Sequence, residues 1–241
     1  MRNFEQDGEC FMAIQTPTAA EMRNDWILDG PAELTVRGEH ELEILAIGPM
    51  ALWCPQVYKG TVAVEFDCTV PDGGTKLLLL LHGHGSDGTP VSGWERDGSY
   101  DGYNAGRMEL YSLAFNRGSH ISDRLGDQLA NVRRIGGPQF AIYTAENFRK
   151  HGQQSQAFWN EWNVKSLLGA GLEPDQGLNK RLHHRMSIDP PTLQMAVNGT
   201  PFTQVVDHRA EPLRKGSIGF RCMSRGKRFV LENVRIETLD G

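Results

Sequence analysis

Five consecutive leucines, Leu77–Leu81, constrain this chain more than any other feature. The run Lys76–Leu81 is bounded by Asp72-Gly-Gly74 and Gly83, and successive side chains of an extended segment point to opposite faces. A continuous apolar run of this length therefore suits a strand covered on both sides, central in its sheet. Thr61–Cys68 alternates instead: Val62, Val64, Phe66 and Cys68 share one face, and Glu65 and Asp67 share the other. Thr192–Val197 leads through Asn198-Gly199 into Thr200–Thr203, a strong short hairpin signal because both central residues of a type I′ turn need positive φ. The turn is preferred over the glycosylation sequon that Asn198-Gly-Thr200 also spells. No amphipathic helix of three turns is sustained anywhere, so the expected class is all-β.

At 241 residues the chain suits one large sandwich, and no internal repeat or linker divides residues 1–241. His151–Lys180, rich in Gln, Gly and Asn yet carrying Trp159, Glu161 and Trp162, reads as a loop insertion at 151–180. No apolar stretch approaches the ~20 residues of a membrane helix, which speaks against a membrane partner. The amino-terminal residues lack the basic start and apolar core of a secretory signal, so a cytoplasmic location is expected. Cys10, Cys54, Cys68 and Cys222 have no C-x-x-C spacing and read as reduced, mostly buried thiols. The net charge is −5, but residues 1–72 hold 4 basic and 13 acidic side chains while residues 73–241 hold 21 and 17. That distribution disfavours nucleic acid as a partner and leaves arginines for an acidic small molecule.

The closing segments Val197–Phe202, Gly216-Ser-Ile-Gly-Phe-Arg221 and Phe229–Ile236 resemble the last strands of concanavalin A-like or laminin G-like jelly rolls. Asp25-Trp26, Trp53-Cys-Pro55, Tyr103 with Gly106, Arg117, Asn131-Val-Arg133 and Gly216-x-Ile-Gly-Phe-Arg-x-Met223 are similar, in the same order, to the YesU-like family. That domain-of-unknown-function group occurs among bacterial genes for the use of pectin and other polysaccharides. The resemblance implies a jelly-roll β-sandwich in a carbohydrate setting, and no particular reaction. His82-Gly-His84 and the 151–180 segment fall outside the matched pieces.

One face of a jelly-roll sheet can form a groove in which aromatic rings stack on sugars and polar side chains read hydroxyls. In Arg107–Arg117, alternation puts Met108, Leu110, Ser112 and Ala114 on one face, read as core. Arg107, Glu109, Tyr111, Phe115 and Arg117 fall on the other, read as groove. Asn131 and Arg133 share a face, leaving Val132 to the core, and Arg221 lies opposite Ile218, Phe220 and Cys222. Arginines in such a groove suit a uronate carboxylate, or else pair with Glu65, Asp67 or Glu109 on adjacent strands. If Lys76–His84 stays extended, His82 and His84 project from one face, as an acid–base pair or, with a third ligand, as a zinc site. Trp94, Tyr100 and Trp159, on loops, suit stacking, whereas Trp53 after Ala51-Leu52 reads as core.

The function expected is that of a carbohydrate-active protein: a lyase or glycoside hydrolase acting on oligosaccharides from plant or algal polysaccharide, some of them uronate-containing. Its catalytic candidates are His82, His84, Tyr103, Tyr111 and Glu109. Its substrate-binding candidates are Trp94, Tyr100, Arg107, Arg117, Asn131, Arg133, Trp159 and Arg221. Glu65 and Asp67 offer a weaker carboxylate pair. The alternatives are a non-catalytic carbohydrate-binding module and a structural accessory jelly roll whose Trp-bearing insertion mediates homodimerisation. No cofactor and no catalytic metal are expected; a structural calcium is compatible with the fold, although no acidic loop carries a ligand pattern for it.

Overall fold

The computed structural model describes residues 11–71, 75–93, 96–99, 103, 108–117, 129–135, 165–166, 181–207 and 211–240; at 11, 75–76, 114–117, 129–133, 165–166, 202–203, 205 and 240 the description is of the backbone. The elements begin β1 (Phe11–Gln15), α1 (Ala19–Asn24), β2 (Ile27–Asp29), β3 (Ala32–Gly38), β4 (Glu41–Ala46), β5 (Met50–Trp53), β6 (Tyr58–Lys59) and β7 (Thr61–Thr69). They continue β8 (Thr75–Gly85), a 3-10 turn at Val91–Gly93, β9 (Met108–Arg117), β10 (Leu129–Ile135) and β11 (Lys165–Ser166). Last come β12 (Leu182–Asp189), β13 (Thr192–Val197), β14 (Thr200–Val206), β15 (Lys215–Cys222) and β16 (Lys227–Asp240).

Among the described residues these strands form two antiparallel eight-stranded sheets. The first runs β14-β13-β12-β7-β16-β4-β3 with β1 on β16, and the second β11-β10-β9-β8-β15-β5-β2 with β6 on β15. The chain is thus an all-β jelly-roll sandwich. The short helix α1 is fixed by a capping box in which Thr18 Oγ1 accepts from Glu21 N–H and Glu21 Oε2 accepts from Thr18 N–H. None of the described helices is long and apolar enough to cross a membrane. The 151–180 segment lies outside the described residues, apart from Lys165-Ser166 paired with β10.

The main core fills the space between the sheets. From the first sheet come Leu42, Ile44, Val62, Val64, Phe66, Met186, Leu231 and Ile236; from the second, Leu52, Leu77, Leu79, Leu81, Tyr111, Leu113, Ile218 and Phe220. Alternation in Thr61–Cys68 and in Ile218–Cys222 therefore reads correctly. Leu78 and Leu80 face outward into a second cluster with Ala51, Trp53, Val91, Tyr103, Met108, Leu110 and Ile135. As its sequence demands, β8 is central, between β9 and β15, and covered on both faces. The Asn198-Gly199 turn joins β13 to β14 with φ of 49° and 76°. Cys54, Cys68 and Cys222 are free and buried.

Register shifts interrupt the alternation at functional and structural joints. In β16 a shift between Glu232 and Arg235, with Asn233 at φ 51°, moves the inward positions from Phe229 and Leu231 to Val234 and Ile236. In β8 the shift lies between Leu81 and His84. His82 there adopts φ 52°, and Gly216 of β15 (φ 150°) lies so close that a Cβ would meet the His82 carbonyl carbon at 2.2 Å.

Trp53, fully buried as read, lies against glycine backbone: a Cβ on Gly219 would sit 2.6 Å from its ring, as would one on Gly83. Overpacking of this kind costs about 1–3 kcal/mol. Gly219→Ala is accordingly expected to lower the urea midpoint by that amount of stability with an unchanged m-value.

Candidate functional site

Sequence reasoning put Arg221 and Tyr103 in an open groove on the outer face of the second sheet. Arg221 does lie on that face, opposite Phe220, but it is 2% exposed and Tyr103 is fully buried. The chain's own Val91, Arg96, Gly98, Ser99 and Tyr103 cover this part of the face. Asp29 is the anchor. Its Oδ2 accepts from Trp53 Nε1 (3.0 Å), Tyr103 Oη (2.7 Å) and Arg96 Nε (2.7 Å). The Tyr103 ring stacks on Trp53 at 6.2 Å, and the Arg221 guanidinium lies 3.6 Å from the Tyr103 centroid while donating to the carbonyls of Gly98 and Ser99. Burial, the Asp29 charge and its hydrogen bond push the Tyr103 hydroxyl well above its ordinary range. These groups fasten a covering segment, and Tyr103 is not presented to a ligand.

The face assignment of β9 is also corrected. Tyr111 and Leu113 point between the sheets, whereas Met108 and Leu110 point to the outer face. The physical reason is the covering segment, which makes the outer face apolar and leaves the inner face to turn polar where the sandwich ends. Asn131 and Arg133 occupy register positions opposite Ala114 and Ser112, in the rows that contain Arg221 and Gly219 respectively. Their side chains and that of Arg117 lie outside the described residues, as do Trp94, Tyr100, Arg107 and Trp159 altogether.

Four of the five catalytic candidates nevertheless converge, at the end of the second sheet where β8, β9 and β10 meet Asp207, Glu211 and Leu213. Tyr111 Oη donates to Asp207 Oδ2 (2.7 Å) and accepts from Leu213 N–H (3.0 Å). Burial and Asp207 raise its hydroxyl pKa. His82 Nδ1 donates to the Leu213 carbonyl (3.0 Å). Arg134, which the sequence reading missed, sends Nη1 to Asp207 (3.0 Å) and the Glu211 carbonyl (2.7 Å), and Nη2 to Glu109 (3.5 Å). Glu109 is the cross-strand neighbour of His84, whose Nδ1 donates to the Gly85 carbonyl (2.7 Å). Arg134 and Glu109 are 12% and 22% exposed, so their charged ends reach solvent. The one signal for Arg134 was its place two residues after Val132, on the inward side.

His82 and His84 do not form an alternating pair, because the left-handed backbone at His82 and the register shift break the period of two. His82 is fully buried, and among the described residues its Nε2 has no hydrogen-bond partner. Donation from Nδ1 fixes that Nε2 as the lone-pair nitrogen of a neutral ring. Among the described residues no group of three His, Cys, Asp or Glu side chains is placed to hold a metal ion.

Glu65 and Asp67 belong elsewhere, on the outer face of the first sheet. Glu65 pairs with Arg185 and with Arg235 (3.2 Å), and Arg185 and Arg235 both reach Glu237 (2.9 and 2.6 Å). Partial burial pushes Glu65 up, but the two arginines outweigh it and hold the carboxyl below its ordinary range. Asp67 is likewise lowered, as Arg181, Asn233 and His183 outweigh its burial. A carboxyl held ionised is a poor general acid, so this pair lacks the split of roles that glycoside hydrolysis requires.

No protein-family model and no curated protein sequence matches the chain. Solved structures do. The chain is similar to a Bacillus subtilis protein of unknown function with a galectin-like fold, at TM-score 0.68 and 16% identity over 97% of this chain and 98% of that one. It is similar to the carbohydrate recognition domain of Emp47p (TM-score 0.55, 12% identity, 98% and 100% covered). It is also similar to the legume lectin-like domain from Entamoeba histolytica (0.51, 10%, 90% and 90%). At such identities the likeness defines the class: a lectin-like jelly-roll β-sandwich.

Burial pushes the His82 pKa down to about 4 from 6.5. A group protonated more readily unfolded than folded stabilises the fold above pH 6.5, and that stability drains away as pH falls toward 4. About 2 kcal/mol is expected to be lost between pH 7 and pH 5 from this group. Urea unfolding at the two pH values measures it, and His82→Asn should shrink the difference by that amount.

Proposed function

We propose that this chain is a carbohydrate-binding protein whose ligand engages the Glu109–Arg134–His84 cluster at the end of the second sheet. The observation that carries the reading is an ionic fork, Glu109–Arg134–Asp207, that is mostly buried but opens to solvent at Glu109, 22% exposed, and is braced from behind by Tyr111 and Leu213. Carboxylate acceptors beside guanidinium donors match the paired hydroxyls of a sugar ring, and their pre-set geometry lowers the cost of ordering on binding. The names of similar structures, a carbohydrate recognition domain and a legume lectin-like domain, favour the same class of ligand. The YesU-like motifs of the sequence set that ligand in polysaccharide use.

The site chemistry favours neutral sugars over uronates. Arg134 is already shared by two carboxylates, so its charge is balanced, and an incoming uronate would meet Glu109 and Asp207 as like charges. An enzymatic second reading, a lyase or glycosidase, is favoured by one observation. Two imidazoles, a tyrosine and a glutamate gather in one region, with His82 Nε2 free to accept a proton. Against it, His82 and Tyr111 are buried, so binding is the stronger reading.

Calorimetric titration with neutral and uronate-containing oligosaccharides tests the reading. Neutral oligosaccharides should bind, and Glu109→Gln should weaken them about tenfold, equivalent to ~1.4 kcal/mol, while thermal stability stays close to wild type. Binding unaffected by Glu109→Gln and by Arg134→Lys would remove the site. New C=C absorbance or new reducing ends in the same samples would move the protein into the enzyme class.

A further inference from the structure

Between α1 and the stretch from Cys54 to Tyr58 lies an open cleft of about 350 Å³ that shares no lining residue with the Glu109–Arg134 site. A volume of this order is at the small end of ligand sites, enough for a molecule of about hexose size. Its lining is chemically one-sided. Glu21 and Asp25 are its charged side chains, and among the described residues no Lys, Arg or His lines it, His40 standing behind Pro17. They lie four residues apart at α1, where the Asp25 N–H donates to the Glu21 carbonyl, so both carboxylates belong to one side of the helix. Like charges at that spacing repel, and His40, whose ring lies 3.9 Å from Glu39, acts on Glu21 only as a minor influence from a distance.

The remaining groups suit an organic ligand rather than a bare ion. Tyr58 Oη donates to Gln15 Oε1 (2.8 Å) and Gln15 Nε2 donates to Gln56 Oε1 (3.0 Å), a chain that fixes both amides and leaves the Gln56 amino group as a donor at the cleft. Trp26, 9% exposed and stacked on Phe220 at 6.2 Å, forms an aromatic part of the lining, with Pro17 and Pro55 beside it. All lining residues except Ile236 come from the first 72 residues, the stretch with 4 basic and 13 acidic side chains, so the surrounding field favours cations. Hydrogen bonds from Thr18 keep Glu21 ionised well below its ordinary pKa, and they engage only Oε2.

We propose that this cleft is a second binding site, for a small amine-bearing organic cation whose ammonium group bridges Glu21 and Asp25 while its body rests on the Trp26–Pro55 side. The inference stands apart from the carbohydrate reading of the Glu109 site.

Glucosamine and N-acetylglucosamine provide the probe, since they share a ring and differ in the positive charge. Calorimetric titration at low salt in the Glu109→Gln background, where the proposed carbohydrate site is weakened, should show binding of glucosamine and none of N-acetylglucosamine. The double variant Glu21→Gln, Asp25→Asn should weaken glucosamine at least tenfold whether or not Glu109→Gln is present. Glutamine at position 21 preserves the capping box, so the variant is expected to fold, and its thermal midpoint checks that. Absence of glucosamine binding, equal binding of the two sugars, or loss in Glu109→Gln but not in the double variant would each overturn the proposal.

Discussion

The structure depends on a strand that must be buried twice. Leu77, Leu79 and Leu81 of β8 pack between the sheets, while Leu78 and Leu80 point to what would otherwise be the open side of the second sheet. Each fully buried leucine is worth roughly 1.5–3 kcal/mol, so leaving the second row uncovered would forfeit several kcal/mol. Val91 and Tyr103 supply part of the cover, and covering brings polar groups out of water that must be satisfied. Asp29 answers that need by accepting from Trp53, Tyr103 and Arg96 at once. A carboxylate so buried is tolerable only with this many donors.

That requirement explains how the exposed chemistry is distributed. With the outer face closed near Arg221, polar side chains collect at the end of the sandwich, where β8 shifts register and β9 and β10 run out of apolar partners. The left-handed turn at His82, seated on Gly216, directs one imidazole into the Leu213 backbone and leaves the other beside Glu109. A hydrogen-bonded network, Tyr111–Asp207–Arg134, then orients the Arg134 guanidinium toward Glu109.

Most of the fold was legible in the sequence because it rests on a period of two. The alternation of Thr61–Cys68, the double-sided leucines, the Asn198-Gly199 turn and the inward Ile218 and Phe220 all appear where a pleated strand puts them. The site was less legible for two reasons. A single extra residue in β8 breaks the alternation between His82 and His84, and Gly83 between them is the local residue type that goes with such a bulge. The polarity of β9 was read against the wrong neighbour: Met108 and Leu110 are apolar because a distant segment covers them, not because they face the inter-sheet core. Arg134 and Asp207 escaped notice because each acquires its meaning from the other, 73 residues away. The fold itself, a lectin-like sandwich, emerged from closing strands whose pattern is common to many such proteins.

The outer face of the first sheet carries a further consequence. Arg185 and Arg235 alternate with Glu65 and Glu237, Arg181 joins Asp67 to Glu232, and Arg37 meets Glu43. Each pair is worth little to folding, since exposed ion pairs contribute about 0–1 kcal/mol. Together they tile a broad flat surface with charges that cancel locally and hold their water tightly. Another sheet laid against it would have to strip that water without gaining comparable partners. Stacking of a second sheet is therefore disfavoured over this charged stretch, whereas Met12, Ile14 and Leu239, exposed where β1 pairs with β16, leave the neighbouring part of the same face apolar.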